Sequence, residues 1–432
     1  MLKQSHSPGL IIRTLILLVC VALSMQGNTP AYGEPDPLDL QKVTAPDGAA
    51  EDGFGYSAAL SDDGRTALVG SYYIEFGIIY PIGPGGVYAF IYNDQEWVLQ
   101  QKLPTPEMPE ADLFGFSLTL SADGNTALVG AQGGSGPSET QVPGAAYVFT
   151  RNGATWTQQA MLTASDRQVG DHFGVSVALS DDGNTALIGA YVDDIGAKIN
   201  QGSAYVFQRS GTIWNQQAHL TSSDGAAEDY FGRSVSLSGD GNTALIGADM
   251  KTIGGNTRQG AAYLFNRSGS SWNQSQQLTN QSGSAYHWFG GQVAISTDAH
   301  TVLVGSEGLG AVLVFDCSAT PCTQQAVLSD PEGSTLGWGD DAALSPDGDT
   351  ILVEDGYTFI RSGVSWFSGA RLLADDATSG YGSAAALSAD GSTALVGACS
   401  AKVGDNLNQG AAYFFGHPVQ PLLKGFLPFI RR

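Results

Sequence analysis

Val175-Ser176-Val177-Ala178-Leu179-Ser180-Asp181-Asp182-Gly183-Asn184-Thr185-Ala186-Leu187-Ile188-Gly189 reads as a strand, a tight turn and a returning strand. Residues 175–179 alternate in the period of a strand. The Ser-Asp-Asp-Gly-Asn segment supplies the turn, because Asp bonds its own backbone and Gly accepts positive φ. The run from Thr185 to Gly189 completes the hairpin. After a polar loop, Ser203-Ala204-Tyr205-Val206-Phe207 gives a third strand, Gln208-Arg209-Ser210-Gly211 turns, and Trp214-Asn215-Gln216-Gln217-Ala218-His219-Leu220-Thr221 gives a fourth. Beyond the N-terminal segment, no stretch sustains a helical period.

The unit recurs. Aromatic-Gly pairs begin at Phe54, Phe114, Phe173, Phe231, Phe289, Trp338 and Tyr381. They are about 60 residues apart in the first four units and about 43 at the sixth, within the range of repeat arrays. Four short antiparallel strands per repeat specify a propeller blade. The seventh unit ends at Ala412-Tyr413-Phe414-Phe415 without a fourth strand, while Asp39-Leu40-Gln41-Lys42-Val43-Thr44-Ala45 aligns with Gln158–Ala164. The expected fold is therefore all-β: a seven-bladed β-propeller of four-stranded antiparallel blades, its ring closed by the N-terminal strand completing the last blade. Closure removes the sheet edges that a linear array exposes.

The formal net charge is −23, from 42 acidic and 19 basic residues. That balance argues against nucleic acid, which binds through Lys and Arg, and against anionic membrane surfaces. It suits a soluble extracellular protein. Residues 1–33 read as a signal peptide: Lys3 and Arg13 flank the apolar run Thr14–Leu23, and Ala31-Tyr32-Gly33 offers small residues for cleavage. The propeller is assigned to 34–417, and 418–432 forms a short apolar tail, too short for a membrane span. The expected product is secreted or cell-surface, and a monomer. Cys317 and Cys322 flank a strand-to-strand turn and are expected to form a disulfide; Cys399 is expected to be a buried free thiol.

The aromatic-Gly pairs followed by Val-Gly-Ala resemble the FG-GAP repeat family, the blades of integrin α-subunit propellers and their bacterial relatives. The resemblance spans nearly all of the chain beyond the N-terminal segment. It implies a propeller whose loops between second and third strands, and between blades, share one ligand-binding face. Two departures stand out. Pro usually follows Gly-Ala in the family, whereas Gln132, Tyr191, Asp249 or Cys399 stands there in this chain. The family's calcium loop of regularly spaced Asp residues is missing. Turns such as Ser61-Asp62-Asp63-Gly64 and Ser238-Gly239-Asp240-Gly241 are too short to supply the six to eight oxygens calcium takes, and are expected to be side-chain-to-backbone turns. They also share a Ser-x-Asp-Gly outline with the Asp-box of sialidases, without its Trp.

A second acidic set precedes the aromatic-Gly pair. Asp47 and Asp52 lie in one unit and Asp224 and Asp229 in another, with Asp112 and Asp171 at the position of Asp52 and Asp229. Calcium held there with backbone carbonyls is one reading; an Asp capping a turn is the other. No cofactor is required by any motif. No zinc spacing, nucleophile elbow or phosphate loop is present. The recurring Trp97, Trp156, Trp214, Trp272 and Trp366 are expected to pack between blades. The binding candidates are residues that do not repeat: Tyr72, Tyr73, Phe76, Tyr80, Tyr191, Asp193, Asp194 and Lys251, with His287 and Trp288 near the central channel. Non-repeating loop aromatics and charges suit recognition. The expected function is non-enzymatic adhesion or binding to an extracellular protein or glycan. A secreted glycan hydrolase or lyase with carboxylates at the channel mouth, and a purely structural surface protein, are the alternatives.

Overall fold

The computed structural model describes residues 40–72, 85–104, 113–133, 142–333, 338–339, 341–376 and 380–416. They form seven four-stranded antiparallel sheets. Blade 1 contains Phe54–Leu60, Thr66–Ser71, Gly86–Tyr92 and Trp97–Lys102, and the strand order is the same in blades 2 to 6. Blade 7 takes Tyr381–Leu387, Ala394–Ala398 and Ala411–Phe415 from the C-terminal region and Leu40–Val43 from the N-terminal one, in the register Leu40↔Phe415 to Val43↔Ala412. Among the described residues, no helix is long and apolar enough to cross a membrane. The assigned signal peptide and the 418–432 tail lie outside the described residues.

The second strand of each blade is packed on both faces by neighbouring blades. Its sequence is accordingly a continuous apolar run, Thr-Ala-Leu-Val/Ile-Gly in blades 1 to 4 and 7, Thr-Val-Leu-Val-Gly in blade 5 and Thr-Ile-Leu-Val in blade 6, rather than an alternation, and all six residues of Thr66–Ser71, Thr126–Ala131 and Thr185–Ala190 are buried. Fourth strands are largely exposed, as Thr155–Leu162 shows. There the recurring Trp residues join blades. Trp156 donates its indole N–H to Gln100, Trp214 to Gln159, Trp272 to Gln217 and Trp366 to Gln325, each on the preceding blade. Trp97 stacks on Phe414, ring centres 4.0 Å apart, across the closure. These aromatics are structural. In blades 1 to 3 the Trp is itself followed by a Gln-Gln pair that meets the next blade's Trp.

The Ser-x-Asp-Gly turn is also structural. Ser180 Oγ donates to Asp182 Oδ1 (2.6 Å) and accepts from Thr185 N (2.9 Å), while Asp182 Oδ1 accepts from Asn184 N. The same set recurs in blade 5, where Ala299 takes the glycine's left-handed backbone at φ 61°. Blades 5 and 6 replace the second-to-third-strand loop with short 3-10 turns at Glu307–Leu309 and Glu354–Gly356. Cys317 and Cys322 form the expected disulfide, and Cys399 is a buried free thiol.

Candidate binding site at the channel mouth

First strands line a central channel whose two ends differ. At one end the turns form a closed ring of backbone hydrogen bonds: Asp62 N to Ala122 O, Ala122 N to Asp181 O, Asp181 N to Gly239 O, Gly239 N to Thr297 O and Thr297 N to Pro346 O. Pro346 has no N–H, so Asp347 donates to Ala389 O at 3.4 Å, and Ala389 returns the chain to Asp62 O. Midway along the channel, the hydroxyls of Ser57, Ser117, Ser176 and Ser234 donate to the carbonyls of Gly115, Gly174, Gly232 and Gly290 on the next blade. Ser383 of blade 7 donates to Gly55 of blade 1, and in blade 5 Gln292 stands at the serine position and donates to Ala342 O. Gly247 shows why these sites exclude side chains: a Cβ there would meet Gly290 O at 2.0 Å and Ser234 Oγ at 2.4 Å.

The other end opens as a cavity of about 530 Å³. Most of its distinctive residues directly follow the aromatic-Gly pair or the Val/Ile-Gly-Ala/Ser run, two positions where side chains change from blade to blade, while Trp288 precedes the pair of blade 5 and Asp341 stands where five blades carry Ser. Tyr56 and Phe116 stand after the first motif, their rings 5.3 Å apart, and Tyr72 packs on Tyr56 at 4.6 Å. Arg233 follows the motif in blade 4, with its guanidinium 5.1 Å from the Tyr191 ring centre. Tyr191 itself stacks on His172 at 5.3 Å and meets the edge of Tyr230. Asp249, Glu307 and Asp341 bring three carboxylates to the cavity wall, and Trp288 brings an indole. Burial pushes the Asp249 carboxyl up to about 6, with Glu307 adding to the rise and Arg233 opposing it. Burial also lowers the His172 pKa, with Arg233 acting in the same direction.

Tyr72, Tyr191 and Trp288 thus fall at or beside the mouth, as expected from their failure to repeat. Tyr73, Phe76, Tyr80 and Asp112 lie outside the described residues. His287 accepts from Ser284 N through Nδ1 at 3.2 Å, beside the mouth rather than on its wall. Asp194 is exposed and accepts from Asn200 N. Asp193 and Lys251 belong to the interior instead. Asp193 Oδ2 accepts from Ser203 Oγ at 2.5 Å and Tyr205 OH at 2.9 Å. Lys251 is 5% exposed and donates to Asp229 Oδ2 (2.9 Å) and Asp224 O (2.6 Å).

The acidic pairs have protein partners. Asp52, Asp171 and Asp229 each accept from a backbone N–H three residues earlier, at Ala49, Gln168 and Ala226, the geometry of a turn cap. Asp47 accepts from Tyr88 OH and Lys102 Nζ, both at 2.7 Å. Asp224 accepts from Tyr263 OH at 2.8 Å and lies 3.3 Å from Lys251 Nζ. Among the described residues, no group of three or more His, Cys, Asp or Glu side chains is arranged to hold a metal ion.

The FG-GAP repeat family model matches residues 38–90, 97–149, 156–207 and 214–265. This chain is an FG-GAP repeat protein. The matched FG-GAP units begin with a fourth strand and end with a third, so the repeat is offset from the blade by one strand. That offset is the reason Leu40–Val43 pairs with Ala411–Phe415 across the closure. No curated protein matches the chain.

Tyr56, Phe116, Arg233, Asp249, Glu307 and Asp341 were not singled out as ligand-binding residues from sequence. The signal was present: Tyr56, Phe116 and Arg233 share one repeat position and Asp249 and Glu307 a second, both of which differ from blade to blade, and Asp341 replaces the Ser that five blades carry.

Proposed function

We propose that this FG-GAP propeller is an exported, non-enzymatic binding protein that recognises an extracellular protein or glycan through the face where the channel opens. One observation carries the reading: non-repeating aromatic and charged side chains from several blades converge on one cavity, while the rest of the ring repeats. Small-molecule and side-chain sites of about 300–1,000 Å³ with a few convergent polar groups have this form. No cofactor is invoked, because the acidic pairs considered for calcium are engaged by Lys, Tyr and backbone donors. The test is an array of extracellular proteins and glycans probed with the native protein and with Tyr72→Ala and Tyr191→Ala. Specific binding that both substitutions weaken supports the reading; no specific binding to any array component overturns it.

A second reading is favoured by Asp249. A carboxyl raised to about 6 beside ionisable Glu307 and Asp341 matches the acid partner of a glycosidase pair. Release of reducing ends or unsaturated products from a polysaccharide, abolished by Asp249→Asn, would replace the binding reading with a hydrolase or lyase.

A further inference from the structure

The residue before each aromatic-Gly pair has a left-handed backbone wherever it is described, with φ from 48° at Trp288 to 77° at Gly380. Blades 6, 7 and 1 carry the Gly that this conformation favours, at Gly337, Gly380 and Gly53. Blades 2 to 5 carry Leu113, His172, Tyr230 and Trp288 instead. A bulky side chain there is strained, and strain of this kind collects where a particular side chain is needed. Leu113 is buried, but His172, Tyr230 and Trp288 are only partly so and reach the surface.

These three residues belong to one arc across blades 3 to 5. His172 stacks on Tyr191, which meets Tyr230 edge-on and the Arg233 guanidinium 5.1 Å from its ring centre. The Tyr230 phenol feels the charge of Arg258. Arg258 O accepts from Trp288 N at 3.1 Å, and the Trp288 ring meets Tyr286 edge-on. Tyr286 is 53% exposed, and Ile199, whose carbonyl accepts from Glu228 N, is 58% exposed. Tyr, Trp and Arg are the side chains that dominate binding energy between proteins.

Charge on the arc is just as uneven. Arg233 and Arg258 are exposed and make no hydrogen bond or ion pair with the described residues. The neighbouring carboxylates are occupied: Glu228 accepts from Asn200 Nδ2, Asp194 from Asn200 N, and Asp229 pairs with Lys251. A chain of net charge −23 thus presents free positive charge between aromatic rings here. Glu307 marks the far end, where the adjoining Gly308 donates to His287 O, and repels a carboxylate placed beyond blade 5. An Arg lying over a Tyr ring keeps its N–H edge for in-plane, two-pronged bonds to a carboxylate. A neutral glycan leaves both guanidinium charges uncompensated.

We propose that the arc from His172 to Tyr286 docks an acidic segment of a partner protein. Its Asp or Glu carboxylates bind Arg233 and Arg258, and its apolar side chains pack against Tyr230, Tyr286 and Ile199. The proposal rests on the binding reading above and narrows it to one partner class and one part of the face.

The test pans a displayed library of random peptides against the full chain, then measures a synthetic enriched peptide by calorimetry. The native protein is compared with Arg233→Gln, Arg258→Gln and Tyr286→Ala. Lys402→Gln, at an exposed cation on the blade 7 loop, is the control. The expected peptides share an Asp or Glu beside an aromatic or aliphatic residue. Each arc substitution is expected to lower affinity at least about tenfold, and Lys402→Gln to leave it unchanged. Unchanged circular dichroism shows that the variants fold; should Tyr286→Ala fail to fold, the two Arg variants carry the comparison. Enriched peptides without acidic residues overturn the proposal, as does binding that the arc substitutions leave unchanged or that Lys402→Gln weakens equally. A glycan retained on the array described above, with no peptide enriched, also overturns it but leaves the binding reading standing. An absence of both ligands overturns both.

Discussion

The two ends of the channel are built from the same seven first strands and treat side chains in opposite ways. At the closed end, backbone groups bond to one another around the ring, and the side chains of Ser180, Asp182 and their counterparts serve the turns. At the open end, the backbone has turned away into loops, and Tyr56, Phe116, Arg233 and Asp249 project into one cavity. One end is constrained by every neighbouring blade and therefore repeats. The other meets solvent or ligand and is free to vary. Under the proposed binding function, stability and recognition would thus be separated along one axis, a division common to rigid scaffolds that carry function on loops.

That contrast makes substitutions at repeating and non-repeating positions differ in sign as well as size. Gly247→Ala drives a methyl into Gly290 O and is expected to destabilise by about 3 kcal/mol, measured by urea unfolding. A change below about 0.5 kcal/mol would show that the blades are not tightly packed.

Asp249→Asn is expected to act in the opposite direction. The native carboxyl titrates near 6, against 3.8 for an ordinary Asp. Between those values the folded state binds more protons than the unfolded one, so the native protein loses stability as pH rises from about 4 to 6 and stays penalised above it. The groups felt there are Arg233, which lessens the penalty, and Glu307, which adds to it. The variant should therefore be more stable by about 3 kcal/mol at pH 7 and no different below pH 4. A variant that is less stable at pH 7 would mean that Asp249 serves the scaffold, and the contrast between the ends would fail.

Ser238→Ala removes the hydroxyl that accepts from Thr243 N and donates to Asp240. A loss of about 1 kcal/mol is expected from one of seven equivalent turns. Thermal unfolding that distinguishes this variant from Tyr72→Ala, at the open end, would sharpen the comparison.

Much of this architecture was legible in the residues. Phe-Gly pairs, Ser-x-Asp-Gly turns and Thr-Ala-Leu-Val-Gly runs specify strands and turns locally, and their number gives the blades. The missing fourth strand after Phe415 and its counterpart at Leu40 even announce how the ring closes. The site was only half legible. Tyr72, Tyr191 and Trp288 drew notice because they break the repeat, but Asp193 and Lys251 break it too and lie inside the protein. Asp193 is committed to Ser203 and Tyr205, and Lys251 to Asp224 and Asp229. Loop position alone does not separate a residue that faces a ligand from one that ties a loop to its blade.

By itself, the sequence determined the repeated unit, because each blade's strands and turns follow from contacts within about 60 residues. Only the tertiary structure decided which side chains meet. Closing the ring places Tyr56 beside Phe116 and brings Arg233, Asp249 and Trp288 around one cavity, although more than 200 residues of chain separate Tyr56 from Trp288. The burial that raises Asp249 arises from that convergence.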